Sequence, residues 1–301
     1  MTTALITGAA GFIGQNVIKG LLKKGHEVIA LDNFIFGKKE SIPEGVKIIN
    51  ADINNWLSLN EDIDYIYHFA GPCSVIQFNK DPVECMRTTL RGFSNVLWLA
   101  RKKKATLIYP SSGNVYGPIE GPLNEFVSVR PPNLYAVAKK ACEDMALHSK
   151  EVRSIGFRIF AGYGPGEEHK GDIASAVTIF LNSLVKDEQP VIWGDGTQTR
   201  DFVYIDDIID TFMVVPEMTG KLPPFVNIGT GESYSFNYII DLLNDYLGKN
   251  ILPVYVPKPQ SYVEDTKADI KLYRIIFKLQ PRNLEQGLKD YLRHMNLYTE
   301  M

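Results

Sequence analysis

The chain has 301 residues, enough for two ordinary domains or one enlarged α/β unit. A chain of this length can bury a core without help from disulfide bonds or bound metal ions. Hydrophobic residues make up 45% and charged residues 22%, close to globular averages, which excludes disordered, fibrous and coiled-coil proteins. A net charge of −3 leaves no basic surplus for binding a phosphate backbone, so nucleic acid is not an expected partner.

Three features of the sequence favour a cytoplasmic protein that does not enter membranes. Mean hydropathy is −0.09, and no apolar run approaches the roughly 18 residues that a membrane span needs. The first residues, MTTALITG, lack the charged and apolar regions of a secretory signal. The three cysteines, Cys73, Cys85 and Cys142, are odd in number and form no CxxC pair, as expected in a reducing compartment.

The first 160 residues alternate β-branched runs with amphipathic helical stretches. Strands are predicted at 4–7, 27–32, 46–50, 63–70, 105–112 and 153–160, and helices after Gly14, at about 83–103 and at about 133–149. Continuous apolar strands of this kind are buried on both faces, as in a parallel sheet. Strand–helix–strand repetition therefore predicts an α/β fold with a Rossmann-type doubly wound parallel sheet.

The pattern changes after residue 160. A Gly- and charge-rich loop, GYGPGEEHKGD, is followed by a predicted helix near 173–185 and a strand at VIWGDG, and the last 70 residues hold two or three helices. Because neither a repeat nor a low-complexity linker divides the chain, a second lobe must be interleaved with the first. We predict a Rossmann domain from 1–160 plus about 200–228, and a smaller C-terminal lobe from about 161–199 plus 229–301.

The segment LITGAAGFIG places three glycines between the first strand and the first helix. Gly8 allows a tight turn, Gly11 lets backbone N–H groups approach a pyrophosphate, and Gly14 permits close packing of helix on strand. A plain βα turn is the alternative. The strand–loop–helix context favours a dinucleotide site instead.

Asp32 ends the second predicted strand, 18 residues after Gly14, near the spacing of about 20 for an acid that binds the cofactor ribose. A carboxylate there accepts hydrogen bonds from a 2′-hydroxyl and repels a 2′-phosphate, which favours NAD over NADP. Asn33 follows where an arginine would suit NADP, although Lys38 and Lys39 lie nearby. A turn or capping role for Asp32 is the alternative.

Tyr135 and Lys139 lie four residues apart on a predicted helix and project from the same face. An ammonium beside the phenol would lower the pKa of Tyr135 from about 10 toward the range of a general base. The segment SSGNVYG at 111–117 follows a buried strand, at the edge where parallel sheets bind ligands. Ser112 in that segment is our candidate for polarising the substrate oxygen that Tyr135 deprotonates.

No other cluster in the sequence predicts catalysis. The five histidines lack the spacing of metal ligands, so no metal is expected. None of the cysteines belongs to a His-paired motif, which argues against thiol catalysis.

These motifs, in this order and spacing, resemble the extended short-chain dehydrogenase/reductase family, which includes the NAD-dependent nucleotide-sugar epimerases and dehydratases. The resemblance implies a seven-stranded Rossmann sheet, NAD as cofactor, a nucleotide-diphosphate sugar as substrate and a homodimer. It implies catalysis by Ser112, Tyr135 and Lys139, and a diphosphate-binding role for Arg200. The residues that would line the cofactor are Gly8, Gly11, Phe12, Ile13, Gly14, Asp32, Asn33, Asp52, Ile53, Ala70 and Gly71, with Tyr135 and Lys139.

The reaction is suggested by the residues after Ser112. The resembling 4,6-dehydratases carry an Asp–Glu pair there, because eliminating water needs both an acid and a base. Gly113 and Asn114 occupy those positions here, and Asn114 is a candidate substrate-binding residue. A small pair resembles the 4-epimerases, in which a 4-keto intermediate needs room to turn over. We therefore expect a UDP-hexose 4-epimerase, similar to UDP-glucose 4-epimerase.

Other functions stay open at this point. The segments GPGEEHKGDIAS at 164–175 and PKPQSYVEDTKADI resemble ADP-heptose 6-epimerases, in which the residue matching Lys170 is a second catalytic base; an exposed loop lysine is the alternative. A reductase of nucleotide-linked keto sugars would consume NAD(P)H stoichiometrically, unlike an epimerase. A catalytically silent sensor of dinucleotides or sugar nucleotides is the non-enzyme alternative.

Overall fold

The computed structural model describes residues 2–258 and 263–298. Residues 259–262, which belong to the PKPQSYVEDTKADI segment, therefore lie outside the described residues. The chain divides into two compact units. Unit 1 comprises residues up to 115, 131–158 and 209–226, and unit 2 comprises 116–130, 159–208 and 227 onward.

The strands of the described chain are short and follow the apolar runs of the sequence. In order they are β1 (Thr3–Thr7), β2 (Glu27–Asp32), β3 (Lys47–Asn50), β4 (Tyr65–His68), β5 (Thr106–Ser112), β6 (Ser154–Ile159), β7 (Ala161–Tyr163), β8 (Val191–Trp193), β9 (Thr199–Arg200), β10 (Phe202–Tyr204), β11 (Phe225–Ile228), β12 (Tyr234–Ser235) and β13 (Val254–Val256).

The helices fill the intervals between these strands. They are α1 (Phe12–Lys23), α2 (Val75–Lys80), α3 (Pro82–Lys103), α4 (Leu134–His148), α5 (Ala176–Val185), α6 (Ile205–Val214), α7 (Phe236–Leu247), α8 (Lys271–Phe277) and α9 (Leu284–His294). Within the described ranges, no helix combines the length and apolarity that crossing a membrane requires.

The central sheet has seven strands in the order β11-β6-β5-β4-β1-β2-β3. Pairings of β1 with β2 and β4, of β2 with β3, and of β4 with β5 are all parallel. The sheet confirms the predicted Rossmann-type α/β fold. Because the chain winds outward from β1 to β3 and then returns to β4 on the other side, the strand order reverses between β1 and β4. Ligands of doubly wound sheets bind at the carboxyl ends of the strands at such a reversal.

Burial explains why the strand predictions succeeded. Nearly every residue of β1, β2 and β5 is buried, since helices cover both faces of the sheet. The sequence-based strands and helices agree with the observed ones to within a few residues, but the sequence did not predict α2, α6 or the short strands β7 and β12. Helix α2 has only six residues, and α6 begins directly at the end of β10 with no loop between them.

Unit 2 is organised by three two-stranded sheets and by α5, α7, α8 and α9. Strand β10 pairs with β7 in parallel, β13 pairs with β8 in parallel, and β12 pairs with β9 in antiparallel. Helix α5 packs on α7 through an edge-to-face contact between Phe180 and Phe236, whose ring centroids are 5.6 Å apart. Strand β9, which ends in Arg200, is thereby held beside the start of α7.

Candidate active site and cofactor site

The glycine-rich loop that follows β1 leaves no room for side chains. Gly8 has a φ of +69°, and a Cβ there would lie 2.5 Å from the backbone nitrogen of Ala70. A Cβ on Gly14 would lie 2.2 Å from the carbonyl oxygen of Gly8. Gly11 is the N-cap of α1, so the first N–H groups of the helix, on Phe12, Ile13 and Gly14, have no acceptor within the helix itself. These features form a backbone cradle that fits the pyrophosphate of a dinucleotide.

Asp32 lies beside this loop at the carboxyl end of β2. Its Oδ2 accepts a hydrogen bond from the backbone nitrogen of Ala10 at 2.9 Å, and its Oδ1 accepts one from that of Phe34 at 2.8 Å. Each carboxylate oxygen has a second lone pair, so Asp32 can also accept from a ribose hydroxyl. The structure thus shows Asp32 bracing the loop, and binding of the cofactor ribose by the same carboxylate stays a prediction.

We expect Asp32→Asn to weaken NAD binding about tenfold and to reduce the preference for NAD over NADP. The substitution removes the charge that accepts the ribose hydrogen bonds and repels a 2′-phosphate, and hydrogen bonds to charged groups contribute about 1.5–3 kcal/mol. Isothermal titration with each dinucleotide measures the effect. Asp64→Asn is the matched control, because Asp64 also accepts a backbone hydrogen bond, from Thr3 at 2.8 Å, away from the loop. An unchanged ratio of the two dissociation constants in Asp32→Asn would contradict the assignment.

The remaining predicted cofactor residues follow β3 and β4. Asp52 accepts a hydrogen bond from the backbone nitrogen of Asn54 at 2.8 Å, and Ile53 is buried against Gly92 of α3. Ala70 and Gly71 line a small cavity together with His68 and Lys139. Asn33, by contrast, is exposed and accepts a hydrogen bond from the backbone of Ile35. Ala70 and Gly71 thus lie beside the predicted catalytic lysine.

Ser112, Tyr135 and Lys139 converge at the carboxyl end of β5. Ser112 is the last residue of the strand, and its Oγ accepts a hydrogen bond from the backbone nitrogen of Asn114 at 3.1 Å. Tyr135 and Lys139 lie in the first half of α4, with the Lys139 Nζ 5.8 Å from the centre of the Tyr135 ring. The Lys139 ammonium donates to the carbonyl of Pro110 at 3.4 Å. The structure therefore brings the phenol, the amine and the hydroxyl of the three residues together, and their catalytic roles stay predictions.

The electrostatics of the pair differ from the simple sequence-based expectation. Burial raises the pKa of Tyr135 to about 12, and the hydrogen bond with Ser112 partly counteracts this rise. Burial lowers the pKa of Lys139, which weakens its ability to carry charge beside the phenol. Ser112, rather than Lys139, is therefore the group that lowers the pKa of Tyr135.

Arg200 belongs to unit 2, where its guanidinium is bound by backbone carbonyls. It donates to the carbonyl oxygens of Thr199 at 2.8 Å and Glu264 at 2.7 Å, and also to that of Val263. The neighbouring Asp201 is fully buried and accepts hydrogen bonds from the backbone of Thr230, Gly231 and Ala268. Arg200 is thus held in place on β9 by backbone carbonyls, next to a buried and hydrogen-bonded aspartate.

Lys170 also belongs to unit 2, in a 3₁₀ helix at Glu168–Ile173. Its Nζ forms an ion pair with Glu167 Oε1 at 2.7 Å, and the two side chains are 16% and 1% exposed. Glu167 accepts further hydrogen bonds from the hydroxyls of Ser175 and Thr178. Lys170 is consequently a half-buried, paired residue and not a freely exposed loop lysine.

Two buried acids near these residues were not predicted from the sequence. Glu143 pairs with Arg158 in unit 1, and Glu167 pairs with Lys170 in unit 2. The signal for Glu143 was its place four residues after Lys139, on the same face of α4. The described residues contain no cluster of three or more His, Cys, Asp or Glu side chains that could hold a metal ion.

Comparison with known proteins is consistent with this geometry. A family model described as the NAD dependent epimerase/dehydratase family matches residues 4–229. A provisionally named UDP-glucose 4-epimerase of Methanocaldococcus jannaschii is 30% identical, with 97% of each chain covered. UDP-glucuronic acid decarboxylase 1 of Xenopus tropicalis is 29% identical, with 98% of this chain and 72% of the relative covered.

Solved structures of nucleotide-sugar enzymes have the same fold. UDP-glucose 4-epimerase of Thermotoga maritima, solved with UDP-glucose, superposes with a TM-score of 0.90 at 26% identity, covering 98% of both chains. ADP-L-glycero-D-manno-heptose-6-epimerase of Helicobacter pylori superposes with a TM-score of 0.85 at 30% identity, covering 98% of this chain and 96% of the other. The fold is thus shared by enzymes whose names specify different sugars.

Proposed function

This chain belongs to the NAD-dependent epimerase/dehydratase family, and from that membership we propose that it is a UDP-hexose 4-epimerase. The observation that carries the proposal is the assembly of Ser112, Tyr135 and Lys139 at the end of β5. The names of a relative and of a structural neighbour, both UDP-glucose 4-epimerases, support the choice of sugar nucleotide.

Each residue of the assembly has a distinct task in the proposed reaction. NAD would be held by the loop after β1 and by Asp32, and it would supply the hydride acceptor and donor that inversion at C4 of the sugar requires. Tyr135 Oη removes the proton from the C4 hydroxyl and later gives it back. Ser112 orients the sugar oxygen. Burial raises the pKa of Tyr135 to about 12, and the hydrogen bond of Ser112 lowers it. Lys139, whose Nζ lies 5.8 Å from the centre of the Tyr135 ring, adds positive charge beside the phenolate when it is protonated.

The residues beside Ser112 support epimerisation over elimination. Gly113 offers no side chain, and Asn114 offers an amide, which does not transfer protons as a carboxyl group does. The 4-keto sugar formed at C4 therefore meets no acid–base pair that would expel water from C5 and C6. Asn114 is well placed in the chain to bind the sugar by hydrogen bonds, since its backbone nitrogen already contacts Ser112.

We assign the diphosphate of the substrate to Arg200. Guanidinium groups bind phosphates through paired hydrogen bonds, and Arg200 lies on a strand fixed by the buried Asp201. A diphosphate would replace neutral carbonyl acceptors by charged ones, which strengthens the hydrogen bonds.

The proposed assembly state is a homodimer through α3 and α4, which pack together and expose Val83, Leu134 and Val137.

The proposal is tested by incubating the NAD-loaded protein with UDP-, GDP-, ADP- and CDP-sugars and separating the products by chromatography. We expect UDP-glucose and UDP-galactose to interconvert without net consumption of NAD. Carbon dioxide release from UDP-glucuronate would favour a decarboxylase. Stoichiometric consumption of NADH would favour a reductase. Binding without product for every sugar would favour a sensor.

An ADP-heptose-type 6-epimerase is the second candidate, because Lys170 is held in place by the buried Glu167 and a heptose epimerase is among the structural neighbours.

Under the main proposal, Lys170→Met should change UDP-hexose turnover by less than about threefold. It should lower the free energy of unfolding by about 1–3 kcal/mol, since Glu167 loses a charged partner. Steady-state kinetics and chemical denaturation measure the two effects. A large loss of ADP-heptose turnover in Lys170→Met, with unchanged affinity for the ADP-heptose, would favour the 6-epimerase.

A further inference from the structure

A buried ion pair lies next to the proposed catalytic residues of unit 1. Glu143 follows Lys139 by four residues on α4, so Tyr135, Lys139 and Glu143 succeed one another along one face of the helix. The Glu143 carboxylate accepts hydrogen bonds from Arg158 Nε and Nη2, both at 2.8 Å. Each of the two side chains is only 1% exposed.

The same carboxylate also contacts the strand that carries Ser112. Ser111 Oγ donates to Glu143 Oε1 at 2.6 Å, and Ser111 directly precedes Ser112 in β5. Arg158 lies on β6, with its guanidinium carbon 3.9 Å from the centre of the Phe225 ring. One side chain of α4 is therefore joined to both β5 and β6, immediately behind the site.

Stability alone does not explain such a pair. Replacing a buried ion pair by well-packed apolar residues is often neutral or stabilising, because removing two charges from water costs about as much as their attraction returns. A bidentate arginine–carboxylate pair differs from apolar contacts in its directionality, since the planar guanidinium accepts a single relative orientation of the two groups. The pair therefore fixes geometry more than it adds stability.

We propose that Glu143, held by Arg158 and Ser111, is a positioning residue that sets the distance between Tyr135 on α4 and Ser112 on β5. This inference rests on the proposed function, in which Tyr135 and Ser112 act on the same sugar oxygen. Three contacts along one helix face then determine the register of α4 on β5: Tyr135 with Ser112, Lys139 with Pro110 and Glu143 with Ser111. Because Glu143 and Arg158 neutralise each other, the brace adds no net charge beside Lys139.

The test replaces the whole pair by apolar residues of similar size, in the variant Glu143→Leu/Arg158→Met. Changing one partner alone would leave a buried charge without compensation and destabilise the protein. The matched control is Asp207→Leu/Arg282→Met, which removes an ion pair of unit 2 in which Arg282 Nη1 lies 2.7 Å from Asp207 Oδ1. Ser111→Ala is a milder second variant that removes one contact of Glu143 and leaves the ion pair in place.

We expect the double variant to lower kcat about ten- to a hundredfold, since small misplacements of catalytic groups have effects of this size. KM and the dissociation constant of NAD should stay within about twofold, and the control pair should leave kcat unchanged. Ser111→Ala should lower kcat to a smaller extent. A kcat within twofold of the natural protein in both variants, or a parallel loss of NAD affinity, would overturn the proposal.

A spectroscopic measurement separates this proposal from the proposed function. The ionisation of Tyr135 is followed by tyrosinate absorbance in the natural protein and in the double variant. For each protein, the absorbance of the same protein carrying Tyr135→Phe is subtracted, which leaves the contribution of Tyr135. Loosening the contact with Ser112 should raise the pKa of Tyr135 in the double variant, because that hydrogen bond lowers it. An unchanged pKa of Tyr135 would overturn the positioning role, even if the natural substrate proves not to be a UDP-hexose.

Discussion

Replacing Tyr135 by phenylalanine is expected to reduce turnover by about 10³-fold or more while NAD remains bound. The substitution removes only the hydroxyl that exchanges a proton with the sugar, and general acid–base catalysis contributes about 10²- to 10⁴-fold. The ring keeps its edge-to-face contact with Phe78, whose centroid lies 5.6 Å away, so the fold should be preserved. Steady-state epimerisation and NAD titration measure the two effects.

The control for this variant is Tyr67→Phe. Tyr67 is fully buried, and its hydroxyl donates to the carbonyl of Phe212 on α6 at 3.4 Å. It should keep nearly normal turnover, whereas near-normal turnover in Tyr135→Phe would remove Tyr135 as the base.

The pH dependence of turnover follows from the same group. In the proposed reaction the active form of Tyr135 is the phenolate, and burial raises the pKa of Tyr135, so the active fraction should grow as the pH rises toward that pKa. Activity should therefore increase on the alkaline side of neutrality, and the residual activity of Tyr135→Phe should lack this rise.

Gly8→Ala is expected to weaken NAD binding by at least a hundredfold. The added methyl group would lie 2.5 Å from the nitrogen of Ala70 and 2.6 Å from the carbonyl carbon of Phe69, both of which are backbone atoms that cannot rotate away. The loop after β1 must then move from the end of β4, which disrupts the N–H groups facing the pyrophosphate. NAD titration measures the binding, and thermal denaturation shows whether the variant is folded.

Gly25→Ala separates crowding from backbone strain. Gly25 has a φ of +80°, similar to the +69° of Gly8, but among the described residues no atom lies within 4 Å of the added methyl group. It should cost about 1 kcal/mol of stability and leave NAD affinity unchanged. Equal losses of NAD affinity in both variants would show that the conformation, and not the close approach to β4, is responsible.

The parts of the fold and site that the sequence predicted are those determined by local pattern. Strands β1, β2 and β5 are continuous apolar runs because they are buried on both faces, and the glycine spacing after β1 reflects a backbone that tolerates no Cβ. Tyr135 and Lys139 were found because a spacing of four residues on a helix implies one face. Asp32 was found because it ends a strand.

The parts that were missed depend on contacts between distant residues. The hydrogen bonds of Arg200 with the backbone of Val263 and Glu264 join positions more than 60 residues apart, which no local pattern encodes. The partner of Glu143 lies on a different strand, and a buried pair has the same residue types as an exposed one. Burial raises the pKa of Tyr135 despite the nearby Lys139, and this effect likewise depends on tertiary packing.

The measurement that tests the central claim most directly follows the hydrogen at C4 of the sugar. UDP-glucose labelled with deuterium at C4 is incubated with the NAD-loaded protein in ordinary water, and the UDP-galactose formed is analysed by mass spectrometry and NMR. A 4-epimerase that uses Tyr135 only for the hydroxyl proton should give UDP-galactose that keeps the deuterium at C4. The absence of inversion at C4, or loss of the deuterium to solvent in the product, would contradict the account.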